Sequence, residues 1–176
     1  NGAVLGNADL KARWDMDNKM LGIEAYVTEG DIASLRAEGG VYLGCDSLSF
    51  RFMPDHVNAA LIQPFLENIT SSVTGRASGD MQLYGSFKDI TLTGYAVAEP
   101  VNMKIDYTNV TYTARDSVIF TSDAIRLPNM RVCDKYGNSG NLSGIVNHRC
   151  FHDASFSFDL SDADGLLGYD TNAAMN

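Results

Sequence analysis

Between residues 75 and 160, apolar and polar side chains alternate with a period of two in one segment after another. The run 101–107 reads VNMKIDY and the run 154–160 reads ASFSFDL. Successive side chains of a strand point to opposite faces of its sheet, so this period is typical of strands with one dry and one wet face. Glycine, asparagine and aspartate stand where the segments join, as turns require. The sequence therefore predicts a mostly β fold built as an elongated, curved antiparallel or solenoid-like sheet.

The first 53 residues carry the same alternation. The runs 10–16 and 20–27 flank Asp17 and Asn18, which predicts a hairpin whose strands each bury one face. A further turn is expected at 29–31. The segment 32–43 is ambiguous because Gly39 and Gly40 interrupt its pattern, whereas 48–52 alternates again before Pro54. We expect residues 1–53 to continue the sheet of the later strands.

One segment departs from the strand pattern. Asp55 follows Pro54 as an N-cap, and apolar residues then recur at a spacing of four, at Val57, Leu61 and Phe65. This stripe predicts one short helix over 55–69, bent at Pro64, which lacks an N–H donor. The helix could seal one end of the sheet or lie in its concave face.

Charge excludes one class of partner. The chain has 22 acidic and 13 basic residues, a formal net charge of −9, and no cluster of lysine or arginine. Such a chain repels phosphate backbones, so no nucleic acid is expected as a partner. No apolar run reaches the roughly 18 residues of a membrane-spanning helix, and no signal peptide is visible. The chain begins inside a strand-like pattern, so we interpret it as part of a longer protein.

Candidate catalytic and metal-binding motifs are weak. His148, Cys150 and His152 are spaced by two, which in a strand lines them along one face and leaves no tetrahedral cage without a distant fourth ligand such as Cys133 or Asp153. The sequence 162–165, DADG, lacks the carboxylates that an EF-hand needs at both ends of its loop. Neither a nucleophile elbow nor a phosphate-binding glycine loop is present. We predict no enzyme activity, no cofactor and no metal.

The cysteines leave two alternatives open. Cys45, Cys133 and Cys150 cannot all pair within one chain, which argues against a disulfide framework. Either Cys133 and Cys150 form one bridge between neighbouring strands, or all three are thiols.

The order of several motifs carries a family resemblance. SGDMQLYGSFKDITLTG, NVTYTARDSVIF, DKYGNSGNLSG and VNHRCFHDASFSFDL follow one another as in the C-terminal region of the TamB proteins, which belong to the AsmA-like group. The Bacteroides-type sequences are the most similar. The resemblance covers 54–170, leaves 1–53 with strand periodicity alone, and leaves 171–176 as a truncated tail.

The resemblance implies a fold, a location and partners. TamB proteins bridge the two membranes of Gram-negative bacteria through the periplasm, anchored in the inner membrane, with an outer-membrane barrel partner of the TamA/BamA type. Their sheet curls into a trough, the β-taco, with an apolar interior. We therefore expect the apolar faces of the strands to hold phospholipid acyl chains. The predicted trough lining comprises Leu83, Ile90, Leu92, Met103, Ile105, Tyr107, Val110, Tyr112, Val118, Phe120, Phe156 and Phe158.

Three functional interpretations stay open at this point. The chain could carry phospholipid between the inner and outer membranes, as a segment of a periplasm-spanning bridge. It could instead help outer-membrane β-barrels to assemble by offering strand edges to a barrel partner. Or it could be a closed β-sandwich that binds glycan or has a purely structural role.

Overall fold

A computed structural model describes residues 7–29, 32–60, 70–106, 108–149, 152–166 and 168. The described chain is almost entirely strand and turn. The strands are β1 (Asn7–Asp15), β2 (Met20–Glu29), β3 (Ile32–Tyr42), β4 (Ser47–Pro54), β5 (Val57–Asn58), β6 (Thr70–Ser86), β7 (Asp89–Ile105), β8 (Val110–Phe120), β9 (Ala124–Cys133), β10 (Ser139–Arg149) and β11 (His152–Ser161).

All of these strands belong to one 11-stranded sheet. Apart from the short β5, which pairs with β6, each strand lies beside its neighbour in sequence, in the order β1-β2-β3-β4-β6-β7-β8-β9-β10-β11. Every pairing is antiparallel, as expected for strands joined by short turns. The sheet is open, since β1 and β11 stand at opposite ends of the order. The prediction of a mostly β, antiparallel sheet is confirmed.

Two turns show how polar side chains define the hairpins. At the first, the Asp15 carboxylate accepts hydrogen bonds from the backbone N–H groups of Asp17 and Asn18, at 3.0 and 3.1 Å. The turn predicted at Asp17 and Asn18 is therefore present. At the β9–β10 hairpin, Gly137 has a φ of 89°, a conformation that glycine adopts without strain. The turn expected at 29–31 includes residues outside the described part of the chain.

The helix predicted over 55–69 is wrong for the residues that the structure describes. His56 has a φ of 54°, and its backbone N–H donates to the Ser78 hydroxyl at 2.9 Å. Val57 and Asn58 then pair with β6 as β5. β4 pairs with β6 only from Ser86 to Met81, so the remaining edge of β6 offers backbone groups to which this segment can pair. Residues 61–69 lie outside the described part of the chain.

Two smaller expectations also need correction. Gly39 and Gly40 do not interrupt β3, which continues through them to Tyr42. A Cβ at Gly39 would overlap the Ser49 carbonyl oxygen and the backbone and ring of Phe50 on β4, which explains why a side chain is absent there. β1 has no buried face, since Leu10 and Trp14 are 68% and 48% exposed.

The two longest strands, β6 and β7, are each interrupted by a β-bulge, and the two bulges lie side by side in the sheet. The register shifts between Gly75 and Ala77 on β6, and between Ala98 and Val101 on β7. Gly75 has a φ of 117°, and a Cβ there would overlap the Pro100 carbonyl oxygen. The bulge also accommodates Pro100, which has no N–H to donate to a neighbouring strand.

Candidate functional site: the apolar face of the sheet

The cross-strand register places apolar residues of β1–β7 on one face. Paired residues of antiparallel strands share a face, so each pairing extends the surface by one strand. Leu10 pairs with Ala25, Ala37 with Phe52, Phe50 with Leu83, and Leu83 with Leu92. On these strands the face is formed by Ala8, Leu10, Ala12, Trp14, Leu21, Ile23, Ala25, Val27, Leu35, Ala37, Gly39, Val41, Leu48, Phe50, Phe52, Pro54, Val73, Gly75, Ala77, Gly79, Met81, Leu83, Gly85, Ile90, Leu92, Gly94, Ala96, Ala98, Val101, Met103 and Ile105.

The same face continues across the later strands. Gly94 pairs with Phe120, Phe120 with Ile125, and Ile125 with Val146. β8–β11 contribute Val110, Tyr112, Ala114, Val118, Phe120, Ile125, Leu127, Met130, Val132, Gly140, Leu142, Gly144, Val146, Phe158 and Leu160. We call this surface, from β1 to β11, the apolar face, and the opposite surface of the same strands the polar face.

Ten of the predicted trough residues lie at positions on the apolar face: Leu83, Ile90, Leu92, Met103, Ile105, Val110, Tyr112, Val118, Phe120 and Phe158. The backbone of Phe156 pairs with that of Val146, which belongs to the face. The side chain of Phe156, and Tyr107 as a whole, lie outside the described part of the structure. That these residues contact lipid stays a prediction.

The prediction omitted much of the same surface. Leu48, Phe50 and Phe52 alternate in the sequence as clearly as the chosen residues, and β4 places Phe50 directly opposite Leu83. Ile125, Leu142 and Val146 were missed because their alternating runs are short: Pro128 and Asn129 end the first, and Gly144 together with the adjacent apolar pair Ile145-Val146 breaks the second. Alternation could have found the first group, whereas only the register identifies the second.

Burial varies along the apolar face. Val73, Val101, Val110, Met130 and Val132 are at most 7% exposed. Ala59, which follows β5, packs against Val73 and Val101, with Ala98 and Met103 at the margin of the cluster. This cluster is the main packed core among the described residues.

Toward the edge strands the apolar face is open. Leu10 is 68% exposed, Trp14 48%, Phe158 51% and Leu160 49%. The accessible surface of the whole chain is 11322 Å², compared with about 8,400 Å² for a typical folded monomer of its mass. A single open layer explains the excess, because much of its apolar surface is left in contact with solvent.

Charge is nearly absent from this face. Among residues whose side chains the structure describes, Asp116 is the one charged residue at an apolar-face position, where its backbone pairs with Ala98 beside the bulge. Asp116 has a φ of 118° and is exposed. Its Oδ1 accepts a hydrogen bond from the backbone N–H of Ser117 at 2.7 Å. Burial raises the pKa of Tyr112, which fits a phenol in apolar surroundings.

No family model matches the chain, and neither a curated protein nor a solved structure is significantly similar to it. The proposed function therefore rests on the register of the strands and on the exposure of the apolar face.

Other kinds of site have little support in the described residues. They contain no group of three or more His, Cys, Asp or Glu side chains able to hold a metal ion. The side chains of His148 and His152, and Cys150 as a whole, lie outside the described part. The Cys133–Cys150 bridge that the sequence allows therefore stays a prediction. Cys45 is exposed and Cys133 half-buried. Within the same residues, no helix has the length and hydropathy needed to cross a bilayer.

Proposed function

We propose that the apolar face binds acyl chains, and that the chain is a segment of a periplasm-spanning protein that carries phospholipid between the inner and outer membranes. The single observation that supports this most is the register, which joins the apolar residues of the main strands from β1 to β11 into one surface. A surface of this kind on one open layer must be covered by something apolar, since exposed hydrophobic patches of such extent are rare on monomeric proteins.

The physical properties of the face suit acyl chains. Burial of apolar surface is worth roughly 25 cal/mol per Å², so a tail lying across several strands can be held without a closed pocket. The interaction is non-directional, so a bound tail can slide from one strand to the next without breaking hydrogen bonds. Curvature of the sheet into a trough belongs to this proposal, as does the resemblance to the TamB family.

The proposal is tested by photo-crosslinking at two adjacent positions of β8. Phe120 lies on the apolar face, where it pairs with Gly94, whereas Ile119 pairs with Tyr95 on the polar face. Ile119 is itself apolar and 38% exposed, so the two positions differ mainly in the face to which they point. A benzophenone amino acid is placed at each position, and the protein is irradiated in cells and analysed for covalently bound phospholipid.

We expect phospholipid on the Phe120 probe and little on the Ile119 probe. Equal capture by both probes would show that contact with lipid does not depend on the face, and would contradict the proposal. Capture by neither probe, in protein shown to be folded by circular dichroism, would contradict it as well.

An alternative role in barrel assembly is favoured by the edge of the sheet at β11. In the described part of the chain β11 pairs with β10 alone. Among its described polar-face residues, Ser155, Ser157 and Ser161 are uncharged and Asp159 is charged, whereas β1 carries four charges on that face: Asp9, Lys11, Arg13 and Asp15. Edge charges oppose pairing with other strands, so β11 is the less protected edge. A barrel protein of the TamA/BamA type could add a strand at β11. Disulfide trapping between a cysteine at Ser157 and the barrel partner would test this role, with Lys11 as the control position.

A further inference from the structure

The polar face carries a groove that acyl-chain binding does not use. It has a volume of about 660 Å³ and spans four neighbouring strands, β3, β4, β6 and β7. The groove is shallow and open to solvent, so it suits a ligand that lies along the surface rather than one that is enclosed. Its lining residues are Glu38, Gly39, Tyr42, Ser49, Arg51, Asp80, Gln82, Thr93, Gly94 and Tyr95.

The register arranges the polar residues of the groove in a straight row. Glu38 pairs with Arg51, Arg51 with Gln82, and Gln82 with Thr93. Neighbouring strands lie about 4.8 Å apart, so the row extends for about 14 Å across the sheet. A row of this length suits an extended ligand better than a single small ring.

The side chains in and beside the row include both hydrogen-bond donors and hydrogen-bond acceptors. The carboxylates of Glu38 and Asp80 accept hydrogen bonds, the Arg51 guanidinium donates, and the Gln82 amide and the Thr93 hydroxyl do both. The side chains of Arg51 and Asp80 are 54% and 33% exposed, so their remaining hydrogen-bonding positions face solvent. A ligand that bears many hydroxyl groups can use donors and acceptors at such close spacing.

The charged side chains of the groove are already held in ion pairs, which favours a neutral ligand over an anionic one. Arg51 is already paired with Asp80: its Nε donates to Oδ1 at 2.9 Å and its Nη2 to Oδ2. This ion pair lowers the pKa of Asp80, so the pair is intact at neutral pH. Glu38 is paired as well, since Arg36 Nη2 lies 2.8 Å from its Oε2. The lining residues therefore offer no unpaired cation to phosphate, sulfate or carboxylate groups, and the net charge of −9 on the chain disfavours such groups further.

Tyrosine rings stand at the groove and beside it. Tyr42 and Tyr95 line it, and Tyr95 is 49% exposed. Tyr84, on the row next to Gln82, is 37% exposed on the same face. An exposed phenol offers a flat apolar surface together with a polar hydroxyl, which suits a ligand with C–H faces and hydroxyl edges.

We propose that this groove binds an extended neutral oligosaccharide, held by the row from Glu38 to Thr93 and by stacking on Tyr95. The site lies on the face opposite to the apolar face and does not depend on acyl-chain binding.

The test is isothermal titration calorimetry of the full chain with three neutral hexasaccharides, namely cellohexaose, maltohexaose and mannohexaose, and with an anionic hexagalacturonate. We expect at least one neutral hexasaccharide to bind, and hexagalacturonate to bind roughly tenfold more weakly or not at all. Absence of heat with all three neutral sugars at millimolar concentration would overturn the proposal, as would tighter binding of hexagalacturonate.

Variants locate the binding. We expect Y95A and Q82A each to weaken the neutral hexasaccharide by roughly tenfold, and Y95F, which keeps the ring, to weaken it less. Y136A is the matched control, because Tyr136 is 65% exposed in the β9–β10 turn, away from the groove. Unchanged affinity in Y95A and Q82A would overturn the proposal. Lipid capture by the Phe120 probe should be the same in Y95A, so failure of one proposal is distinguishable from failure of the other.

Discussion

Phe158 on β11 covers Gly144 on β10. The two residues are cross-strand partners, and a Cβ added at Gly144 would overlap the Phe158 ring. The ring is still 51% exposed on the apolar face. Gly39 and Phe50 are also cross-strand partners, but a Cβ at Gly39 would first overlap the backbone of Ser49 and Phe50 and only then the Phe50 ring. At Gly144 the absent side chain thus leaves room for an aromatic ring to lie flat across the neighbouring strand.

We expect G144A to destabilise the protein by about 1 kcal/mol, because the new methyl group displaces the Phe158 ring. In a background of F158A the same substitution should cost much less, since the overlap is gone. Urea unfolding of the four proteins measures the coupling. G22A is the control, because the nearest atoms to a Cβ at Gly22 are 3.6 Å away. Additive effects of G144A and F158A would contradict the predicted contact.

We expect an open apolar face to tolerate charge where it is exposed and not where it is packed. F158D should lower the free energy of unfolding by about 1 kcal/mol, and V132D by about 3 kcal/mol or more. The difference arises because Val132 is only 7% exposed, so a carboxylate at this position would be buried without a partner. Thermal unfolding followed by circular dichroism compares the two variants. A collapse of the fold in F158D, equal to that in V132D, would indicate that a second layer covers this edge of the sheet.

We expect D134A to destabilise the β9–β10 hairpin by about 2 kcal/mol. The Asp134 carboxylate is buried and accepts hydrogen bonds from Tyr136 N–H at 2.8 Å, Asn138 N–H at 3.0 Å and Asn138 Nδ2 at 3.0 Å. Removal of the carboxylate leaves these donors without their acceptor. Hydrogen exchange should show faster opening of β9 and β10 than of β2 and β3. Uniform loss of protection across the sheet, or no loss, would contradict a local role.

We expect His56 to titrate above its ordinary pKa in the folded protein. Its Nδ1 lies 2.6 Å from Asp55 Oδ1 and its Nε2 lies 3.1 Å from Glu99 Oε2. The hydrogen bond to Asp55 and the charge of Glu99 raise the pKa of His56 above 6.5. The stabilising contribution is therefore complete below pH 6.5 and is lost as pH rises through the higher pKa of the folded state.

Proton NMR of the imidazole measures this pKa directly. E99Q should lower the pKa of His56 while leaving the hydrogen bond to Asp55 in place, and D55N should lower it further because Asp55 is the larger cause. A pKa of His56 that does not respond to either substitution would contradict the contacts of this side chain.

The sequence by itself determined the kind of structure and the chemistry of its two faces. Alternation with a period of two, as in 101–107, can be satisfied only by strands that separate apolar from polar side chains, so an antiparallel sheet with one dry face follows from local physics. The turns at Asp17–Asn18 and at Gly137 were also predictable, because their conformations depend on residues within the turn itself.

Only the tertiary structure decided which strand lies beside which, and in what register. The stripe that begins at Val57 has helical spacing, yet Val57 and Asn58 pair with β6. This pairing is available because β4 covers only part of the edge of β6. Likewise, the groove between Glu38 and Tyr95 joins residues far apart in the sequence, each of them unremarkable on a polar strand face. Both features depend on the pairing of strands that are distant in the sequence, so no local sequence pattern predicts them.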